Sequence, residues 1–188
     1  MDRLFVIDGC AGLGGASKPM RDRGWKVLTI DNDPRFGTDV VADIRTWQWH
    51  GRRPDLAWLS PPCNEFAREF LPWCRTGQEP DLSIVLGCKR FIDQVNPRYW
   101  VIENVKGALK WLEPILGKPS YVCNPYYLWG FFPDISHVRV SSNKERLSST
   151  RSAERALIPY RLGEALAIAI EQSQQLPFVD FHIERINA

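Results

Sequence analysis

The chain has 188 residues, of which 44% are hydrophobic and 24% are charged, and its formal net charge is +2. This length is sufficient for one domain with a sizeable core, and the composition excludes a largely disordered chain. No stretch approaches the ~18 consecutive apolar residues of a membrane span. The N-terminus leads into a strand-like segment instead of a signal peptide, which predicts a cytoplasmic protein.

The cysteine pattern favours neither a disulfide framework nor a zinc site. The cysteines are odd in number, widely spaced and without a Cys-x-x-Cys pair. They are Cys10, Cys63, Cys74, Cys88 and Cys123. Each is therefore interpreted from its own surroundings.

The first predicted element is a strand from Arg3 to Ile7 that ends in Asp8 and leads into a glycine-rich turn. A helix is predicted next, from about Ala16 to Arg23. A strand, a glycine turn and a helix in this order let a ligand approach the backbone closely and meet the helix N-terminus. The loop is of the nucleotide-binding type, although its glycines match neither a phosphate-binding P-loop nor the dinucleotide fingerprint.

Two further strands end in acidic residues. A strand from Lys26 to Ile30 is followed by Asp31, and a short strand from Asp39 to Ile44 carries Asp43 near its tip. In a doubly wound fold, an acid after the second strand binds the hydroxyl pair of a ribose. Asp43 is suited to the exocyclic amine of an adenine. Either acid is alternatively a turn or N-cap residue, but together they favour a nucleoside cofactor.

The apolar run from Leu56 to Leu59 predicts a buried parallel strand that two prolines stop abruptly. Cys63 follows at the carboxyl end of that strand, where ligands bind in open α/β sheets, and is a candidate nucleophile. Its alternative is a small buried hydrophobic residue. The aromatic segment from Asn64 to Trp73 is either a mobile active-site segment or a packed loop.

A helix is predicted from Pro80 to about Val95, and its apolar spacing makes Cys88 a core residue. The next buried strand, Tyr99 to Ile102, ends in Glu103. Because the two strands share an edge, Glu103 and Cys63 are expected to converge on one substrate. The alternative is an ordinary strand-end acid in solvent.

The last third of the chain is aromatic, then basic. The stretch from Tyr126 to Pro133 either stacks on nucleic-acid bases or forms the core of a hairpin. The segment from Arg139 to Arg161 has six basic residues against two acids, and is either a phosphate-binding loop or a flexible soluble loop. The tail from Gln172 to Ala188 is open to interpretation as an edge strand, a core cover or a dimer contact.

The order of these motifs resembles the cytosine-C5 DNA methyltransferase family, and most closely its short phage-type members. The resemblance is carried by Asp8 to Gly15, by Pro62-Cys63-Asn64, by Glu103-Asn104-Val105, and by Arg151 to Leu166. It implies an α/β fold with a doubly wound, mostly parallel sheet of the Rossmann-like S-adenosylmethionine-dependent methyltransferase type. It further implies one catalytic domain over 1–188, a reduced substrate-recognition hairpin and basic loop over about 120–160, and a closing helix over 161–175.

The resemblance also implies roles for individual residues. The catalytic residues would be Cys63, Glu103, Arg139 and Pro62. The residues binding S-adenosylmethionine would be Asp8, Cys10, Ala11, Gly12, Leu13, Gly14, Gly15, Asp31, Asn32, Asp43, Ile44, Ser60 and Pro61. The residues binding the substrate would be Asn64, Asn104 and His137. No metal is implied.

In the implied reaction, the Cys63 thiolate adds to carbon 6 of cytosine and makes carbon 5 nucleophilic. Protonated Glu103 hydrogen-bonds ring nitrogen 3 and the exocyclic amine, and Arg139 holds the carbonyl at carbon 2. The base must be flipped out if the substrate is duplex DNA. The expected location is the cytoplasm of a bacterial or phage-infected cell.

The chain departs from the family pattern at four places. Cys10 replaces the usual aromatic residue, Asn64 replaces a glutamine, and Ile135 and His137 occupy positions of a Gln-x-Arg-x-Arg motif in which only Arg139 matches. Only some twenty residues separate Arg139 from the closing helix, where the family usually inserts a target-recognition domain. Three hypotheses therefore stay open. They are an active DNA methyltransferase, with or without dimerisation, an enzyme acting on a free cytidine nucleotide or single strand, and a non-catalytic cofactor-binding subunit that needs a partner chain.

Overall fold

The structure is a computed structural model that describes residues 3–68, 76–139, 154 and 156–175. The strands within these residues are β1 (Phe5–Gly9), β2 (Lys26–Asp31), β3 (Val40–Val41), β4 (Leu56–Leu59), β5 (Tyr99–Val105), β6 (Tyr121–Cys123) and β7 (Tyr126–Phe131). The helices are α1 (Lys18–Asp22), α2 (Asn64–Arg68), α3 (Ser83–Val95), α4 (Leu109–Leu116) and α5 (Tyr160–Gln175), with single 3₁₀ turns at Pro34–Phe36 and Lys106–Ala108.

All seven of these strands form one sheet in the order β3-β2-β1-β4-β5-β7-β6. The first five strands pair in parallel, and β7 is antiparallel to both of its neighbours. β1 and β4 are buried along their whole length, as central parallel strands are, and their residues are apolar except for Asp8 and Gly9 of β1. The predicted α/β class with a doubly wound, mostly parallel sheet is confirmed.

The sheet separates two hydrophobic cores, because successive side chains of each strand point to opposite faces. One core receives Val6, Trp58 and Val101 from the strands, together with Met20 of α1 and Leu162, Leu166 and Ile170 of α5. The other receives Ile7, Leu59 and Ile102, together with Val85, Phe91 and Ile92 of α3 and Leu112 of α4. The sheet is therefore covered by helices on both faces.

The winding of the sheet reverses between β1 and β4. From β1 the chain builds β2 and β3 on one side, and it then crosses to place β4 on the other side of β1. The paired residues Gly9 and Leu59 lie at the carboxyl ends of these two strands. Connections leave in opposite directions at such a point and open a crevice where ligands bind.

Several predicted elements are confirmed. The strand Leu56–Leu59 has the predicted bounds, and Cys88 lies buried on α3 as a core residue. The aromatic stretch after Tyr126 is β7 of a hairpin with β6, and its Leu128 and Trp129 are fully buried. The hairpin-core interpretation of that stretch is therefore correct for these two side chains.

Other boundaries differ from the prediction for identifiable reasons. The strand predicted to end at Ile102 continues to Val105, because β7 pairs with it from Trp100 to Val105. The predicted strand from Asp39 to Ile44 is reduced to Val40–Val41, because the carbonyl of Asp43 accepts the amides of Thr46 and Trp47 in a turn. The helix α4 was not predicted.

Some predictions concern residues outside the described part of the chain. These are Cys74, the segment from Glu69 onward, most of the basic segment, and the tail beyond Gln175. Across the ranges that are described, no helix combines the length and the apolar character needed to span a membrane.

Gly163 is predicted to be required for the packing of α5 on α1. A Cβ at this position would lie 2.4 Å from the carbonyl oxygen of Ala16 and 2.8 Å from Cγ of Pro19. Gly163→Ala is expected to destabilise the fold by about 1–3 kcal/mol, despite the higher helix propensity of alanine. Urea unfolding measures this change. Gln174→Ala, on the exposed face of the same helix, is the control, and equal stability of the two variants would contradict the prediction.

Candidate active site

A cavity of about 400 Å³ opens at the carboxyl ends of β1, β2, β4 and β5, at the crevice expected from the winding reversal. This volume lies within the range of small-molecule sites. The hairpin of β6 and β7 adds Pro125 and Tyr126 to its wall, and the segment before α5 adds Ala156, Leu157 and Ile158. Residues from near the beginning to near the end of the described chain therefore line one pocket.

The glycine-rich loop forms one side of the pocket and is fixed by β2. The amide of Ala11 donates to the carbonyl of Ile30 at 3.0 Å, and the amide of Gly12 donates to the carboxylate of Asp31 at 2.9 Å. A Cβ at Gly15 would lie 2.6 Å from Leu157. The segment leading into α5 therefore packs directly on the glycine-rich loop.

Asp8 lies at the end of β1 with its side chain buried in the pocket wall. Its Oδ2 accepts a hydrogen bond from the Ser17 hydroxyl at 2.5 Å, and its Oδ1 is buried without a hydrogen-bond partner in the described part of the chain. Burial raises the pKa of Asp8 to about 7, and the Ser17 hydrogen bond opposes this rise. Because a buried acceptor without a partner is costly, Oδ1 is suited to a donor on a ligand.

The other two predicted cofactor acids also line the pocket, and both have partners in the chain. The buried carboxylate of Asp31 accepts the amides of Gly12 and Asp33, so it shapes the glycine loop. The carboxylate of Asp43 pairs with Arg45 at 2.6 Å, and hydrogen bonds from Arg45 hold the pKa of Asp43 below its usual value. Asp43 is therefore an ionised acceptor.

Cys10 occupies the loop position where the family pattern has an aromatic residue. Its backbone adopts a positive φ of 54°, and its thiol forms a hydrogen bond with Cys88 of α3. That contact and burial raise the pKa of Cys10 well above its usual value. Cys10 lines the pocket as a small protonated side chain and offers no ring for stacking.

The turn that carries Cys63 is held by hydrogen bonds to both neighbouring strands. The amide of Ser60 donates to the carbonyl of Gly9 at 3.1 Å, and the side-chain amide of Asn104 donates to the carbonyl of Pro61 at 3.0 Å. Directly after Cys63 the chain enters α2, whose Ala67 amide donates to the Cys63 carbonyl. Asn104 is buried and its side chain anchors the Pro61 turn, while its predicted contact with substrate stays a prediction.

The sequence predicted that Glu103 follows the strand, but in the structure Glu103 lies within β5. Its side chain is buried at 8% exposure and lines the pocket together with Cys63. Burial raises the pKa of Glu103 to about 8, and a hydrogen bond from the Ser60 hydroxyl lowers it. The carboxyl is therefore protonated at neutral pH, which excludes the alternative of an ordinary acid in solvent.

The thiol of Cys63 has a pKa above its usual value. Burial is the larger cause, and the nearby carboxylate of Glu103 adds to it whenever Glu103 is ionised. The two groups are therefore electrostatically coupled, so that protonation of Glu103 favours the Cys63 thiolate. The structure thus brings the predicted nucleophile and acid into one pocket.

Most of the predicted site residues line this pocket. They are Asp8, Cys10, Ala11, Gly12, Leu13, Gly15, Asp31, Asn32, Asp43, Ile44, Ser60, Pro61, Pro62, Cys63, Asn64 and Glu103. The predicted residues that do not line it are Gly14, Asn104, His137 and Arg139. Gly14 borders a neighbouring cavity of about 280 Å³.

Arg139 and His137 are both exposed. The guanidinium of Arg139 donates to the carbonyls of Ser136 and Val138 at 2.7 and 3.4 Å. Ile135, which replaces a polar residue of the family motif, is buried in the core of the α1 and α5 face. The substrate contacts predicted for Arg139 and His137 stay predictions.

Sequence reasoning missed several pocket residues. They are Phe36, Arg45, Ile84, Pro125, Tyr126 and Leu157. Tyr126 reaches the pocket because it pairs with Val105 across the β5 and β7 ladder, a register with no sequence signal. Phe36 ends the 3₁₀ turn that the carboxylate of Asp33 caps. Its place a few residues after Asp31 was the signal in the sequence that it could reach the same pocket.

No family model and no curated protein matches the chain. Among solved structures, it is similar to a protein described as a DNA modification methyltransferase encoded within an E. coli prophage, at 18% identity and a TM-score of 0.47, over 68% of this chain and 46% of that one. It is also similar to the Entamoeba histolytica methyltransferase EhMeth, at 15% identity and a TM-score of 0.47, over 70% and 53% of the two chains. A third similar structure is the S. pombe methyltransferase Dnmt2, at 24% identity and a TM-score of 0.39, over 56% and 36%.

The chain thus spans from 36% to 53% of the length of these three structures. Likenesses of this extent identify neither the reaction nor the substrate of this chain. The assignment of function depends on the pocket itself.

The rate of alkylation of Cys63 by iodoacetamide is expected to rise only above the pH range in which an ordinary cysteine ionises, because the pKa of its thiol is raised. In Glu103→Gln the negative charge beside the thiol is removed, so Cys63 is expected to react on the order of threefold faster near pH 9. Mass spectrometry of the Cys63 peptide measures both rates. Asp93→Asn, on the exposed part of α3, is the control, and unchanged reactivity in Glu103→Gln would contradict the coupling.

Proposed function

We propose that the chain is an S-adenosylmethionine-dependent methyltransferase that acts on carbon 5 of cytosine in DNA through a covalent bond from Cys63. One observation carries the proposal. The Cys63 thiol and a carboxyl that is protonated at neutral pH share one pocket, whose other wall is a glycine loop with three acids.

The residues of that wall fit S-adenosylmethionine. The molecule presents an ammonium, a pair of ribose hydroxyls and an adenine amine, which are all hydrogen-bond donors. Asp8, Asp31 and Asp43 present carboxylate oxygens, and Oδ1 of Asp8 has no partner in the described residues. The predicted ribose and adenine contacts belong to Asp31 and Asp43, and the free oxygen of Asp8 is suited to the ammonium. When bound, the cofactor supplies an electrophilic methyl group.

Cys63 provides covalent catalysis. Carbon 5 of cytosine is too weak a nucleophile to take a methyl group unaided, and addition of a thiolate at carbon 6 converts the ring into an enamine. The turn that holds Cys63 is fixed from β1 through Ser60 and from β5 through Asn104, which keeps the sulfur in place for this addition. Carbon 5 then takes the methyl group, and the sulfur that carried it leaves as a neutral thioether. The carbon 5 proton passes to water, and elimination of the Cys63 thiolate restores the ring.

Glu103 provides the proton that the adduct needs. As sulfur adds to carbon 6, negative charge develops toward ring nitrogen 3, and a protonated carboxyl donates a hydrogen bond there. With a pKa of about 8, Glu103 holds this proton at neutral pH. In its neutral form it also no longer raises the pKa of Cys63, so the same protonation state serves both groups.

The form of the nucleic acid is proposed from the resemblance alone. Duplex DNA requires base flipping, whereas a single strand or a free cytidine nucleotide reaches the pocket without it. Arg139 is proposed to hold the carbonyl at carbon 2 of the cytosine. Its side chain is exposed and does not line the pocket, so we expect it to meet the base only when the substrate is bound. A separate chain or a second copy is proposed to provide recognition if the chain alone is inactive.

Transfer of labelled methyl from S-adenosylmethionine to carbon 5 of cytosine is expected with the native chain. Cys63→Ala is expected to abolish it, and Glu103→Gln is expected to slow it on the order of a hundredfold or more. Cys123→Ala, a buried cysteine of β6 that does not line the pocket, is the matched control. Label retained in Cys63→Ala would overturn the covalent mechanism.

The substrate is tested by running the same assay on duplex DNA, single-stranded DNA and cytidine nucleotide. Preference for free nucleotide would replace the DNA assignment by the nucleotide alternative. No label on any of these, together with no adduct on 5-fluorocytosine DNA, would favour the non-catalytic subunit.

Asp8→Asn is expected to weaken S-adenosylmethionine binding about tenfold, because a charge-assisted hydrogen bond to the ammonium is lost. Since the pKa of Asp8 is about 7, binding to the native chain is expected to weaken as the pH falls through 7 and the carboxylate is protonated. Isothermal titration calorimetry measures both effects. Asp93→Asn is the control, and pH-independent binding over this range would contradict the role of Asp8.

A further inference from the structure

The Ser60 hydroxyl lies between a buried indole and the carboxyl of Glu103. Ser60 follows β4 directly, and strand alternation places its side chain on the same face as Trp58. Leu59 pairs with Ile102 of β5, so the next residues along both parallel strands, Ser60 and Glu103, are neighbours. The register of the sheet therefore sets the serine beside the carboxyl.

The hydrogen bonds of Ser60 give its hydroxyl a direction. The indole Nε1 of the fully buried Trp58 donates to Ser60 Oγ at 3.0 Å, and an indole N–H can only donate. The hydroxyl hydrogen is left for an acceptor, and the carboxyl of Glu103 is the acceptor that the strand register places beside it. The serine hydroxyl also lowers the pKa of Glu103, as a donor to that carboxyl does. Among the described residues no other acceptor bonds this hydroxyl. The Ser60 amide is held by Gly9 at the same time, so the serine has little freedom to turn.

A protonated carboxyl has one oxygen that carries the proton and one that only accepts. The oxygen that receives the Ser60 hydrogen bond is thereby the acceptor, so the acidic proton belongs on the other oxygen. Glu103 lines the pocket that contains Cys63, so a proton on the oxygen away from Ser60 is available to a substrate ring in that pocket.

We propose that Ser60 is a positioning residue that directs the acidic proton of Glu103 into the pocket, with Trp58 as its support. In this proposal Ser60 acts on the substrate through Glu103, whereas the family resemblance implies that it binds the cofactor. The effect of Ser60 on catalysis rests on the proposed function. The proposed chain of hydrogen bonds from Trp58 through Ser60 to Glu103, called the relay below, is testable without turnover.

The relay is tested by carbon-13 NMR of the native chain labelled at its glutamate carboxyls. The signal of Glu103 is assigned by its loss in Glu103→Gln, and its titration midpoint is expected near pH 8. In Ser60→Ala the midpoint is expected to rise by about half a pH unit or more, because a hydrogen bond that favours the ionised form is lost. Ser60→Thr keeps the hydroxyl and is expected to restore the native midpoint.

Ser17→Ala is the matched control, because it removes a serine hydroxyl from the other buried carboxyl of the pocket, Asp8. It is expected to leave the Glu103 midpoint unchanged. If Ser60→Ala does not fold, Ser60→Cys, a weaker donor, is expected to give a smaller rise of the same sign. A Glu103 midpoint unchanged in a folded Ser60 variant would overturn the relay.

The catalytic part is tested by methyl-transfer kinetics. Ser60→Ala is expected to lower kcat on the order of tenfold, with little change in the KM for S-adenosylmethionine, and Ser60→Thr is expected to recover most of the rate. A raised KM for the cofactor with unchanged kcat would return Ser60 to a cofactor-binding role. If the native chain transfers no methyl group while the Glu103 midpoint shifts as expected, the proposed function fails and the relay stands.

Discussion

β4 pairs with β1 from Val6 and Leu56 to Gly9 and Leu59, on the side of β1 opposite to β2. This pairing places the winding reversal of the sheet between β1 and β4, and with it the crevice. The glycine loop leaves β1 toward β2, and the Cys63 turn leaves β4 toward the helices of the other face. The glycine loop and Cys63 are neighbours because two parallel strands are neighbours.

Burial governs the chemistry of the pocket. It raises the pKa values of Asp8, Glu103 and Cys63, and the three shifts do not have the same consequence. For Glu103 the shift stores the proton that the proposed reaction needs, whereas for Cys63 it opposes formation of the thiolate. The coupling between the two resolves part of this conflict, because the neutral form of Glu103 no longer opposes ionisation of the thiol.

The departures from the family pattern have structural counterparts. Cys10 lines the pocket and lies beside Cys88, and Ile135 is buried beside the helices of one face. The pocket wall includes the aromatic side chain of Phe36, on the turn after β2. A compact pocket is therefore formed without the aromatic residue at the glycine loop.

The sequence by itself determined the strand Leu56–Leu59, the α/β class and the positions of Cys63 and Glu103 near strand ends. Such features depend on local signals, namely apolar runs, prolines that cannot continue a ladder, and acids after strands. Only the tertiary structure decided that Glu103 lies inside β5, that Asn104 anchors the Pro61 turn, and that Ser60 is a neighbour of Glu103. The roles of these three residues depend on the register between β4, β5 and β7. That register is set by packing between residues distant in sequence, so no local pattern predicts it.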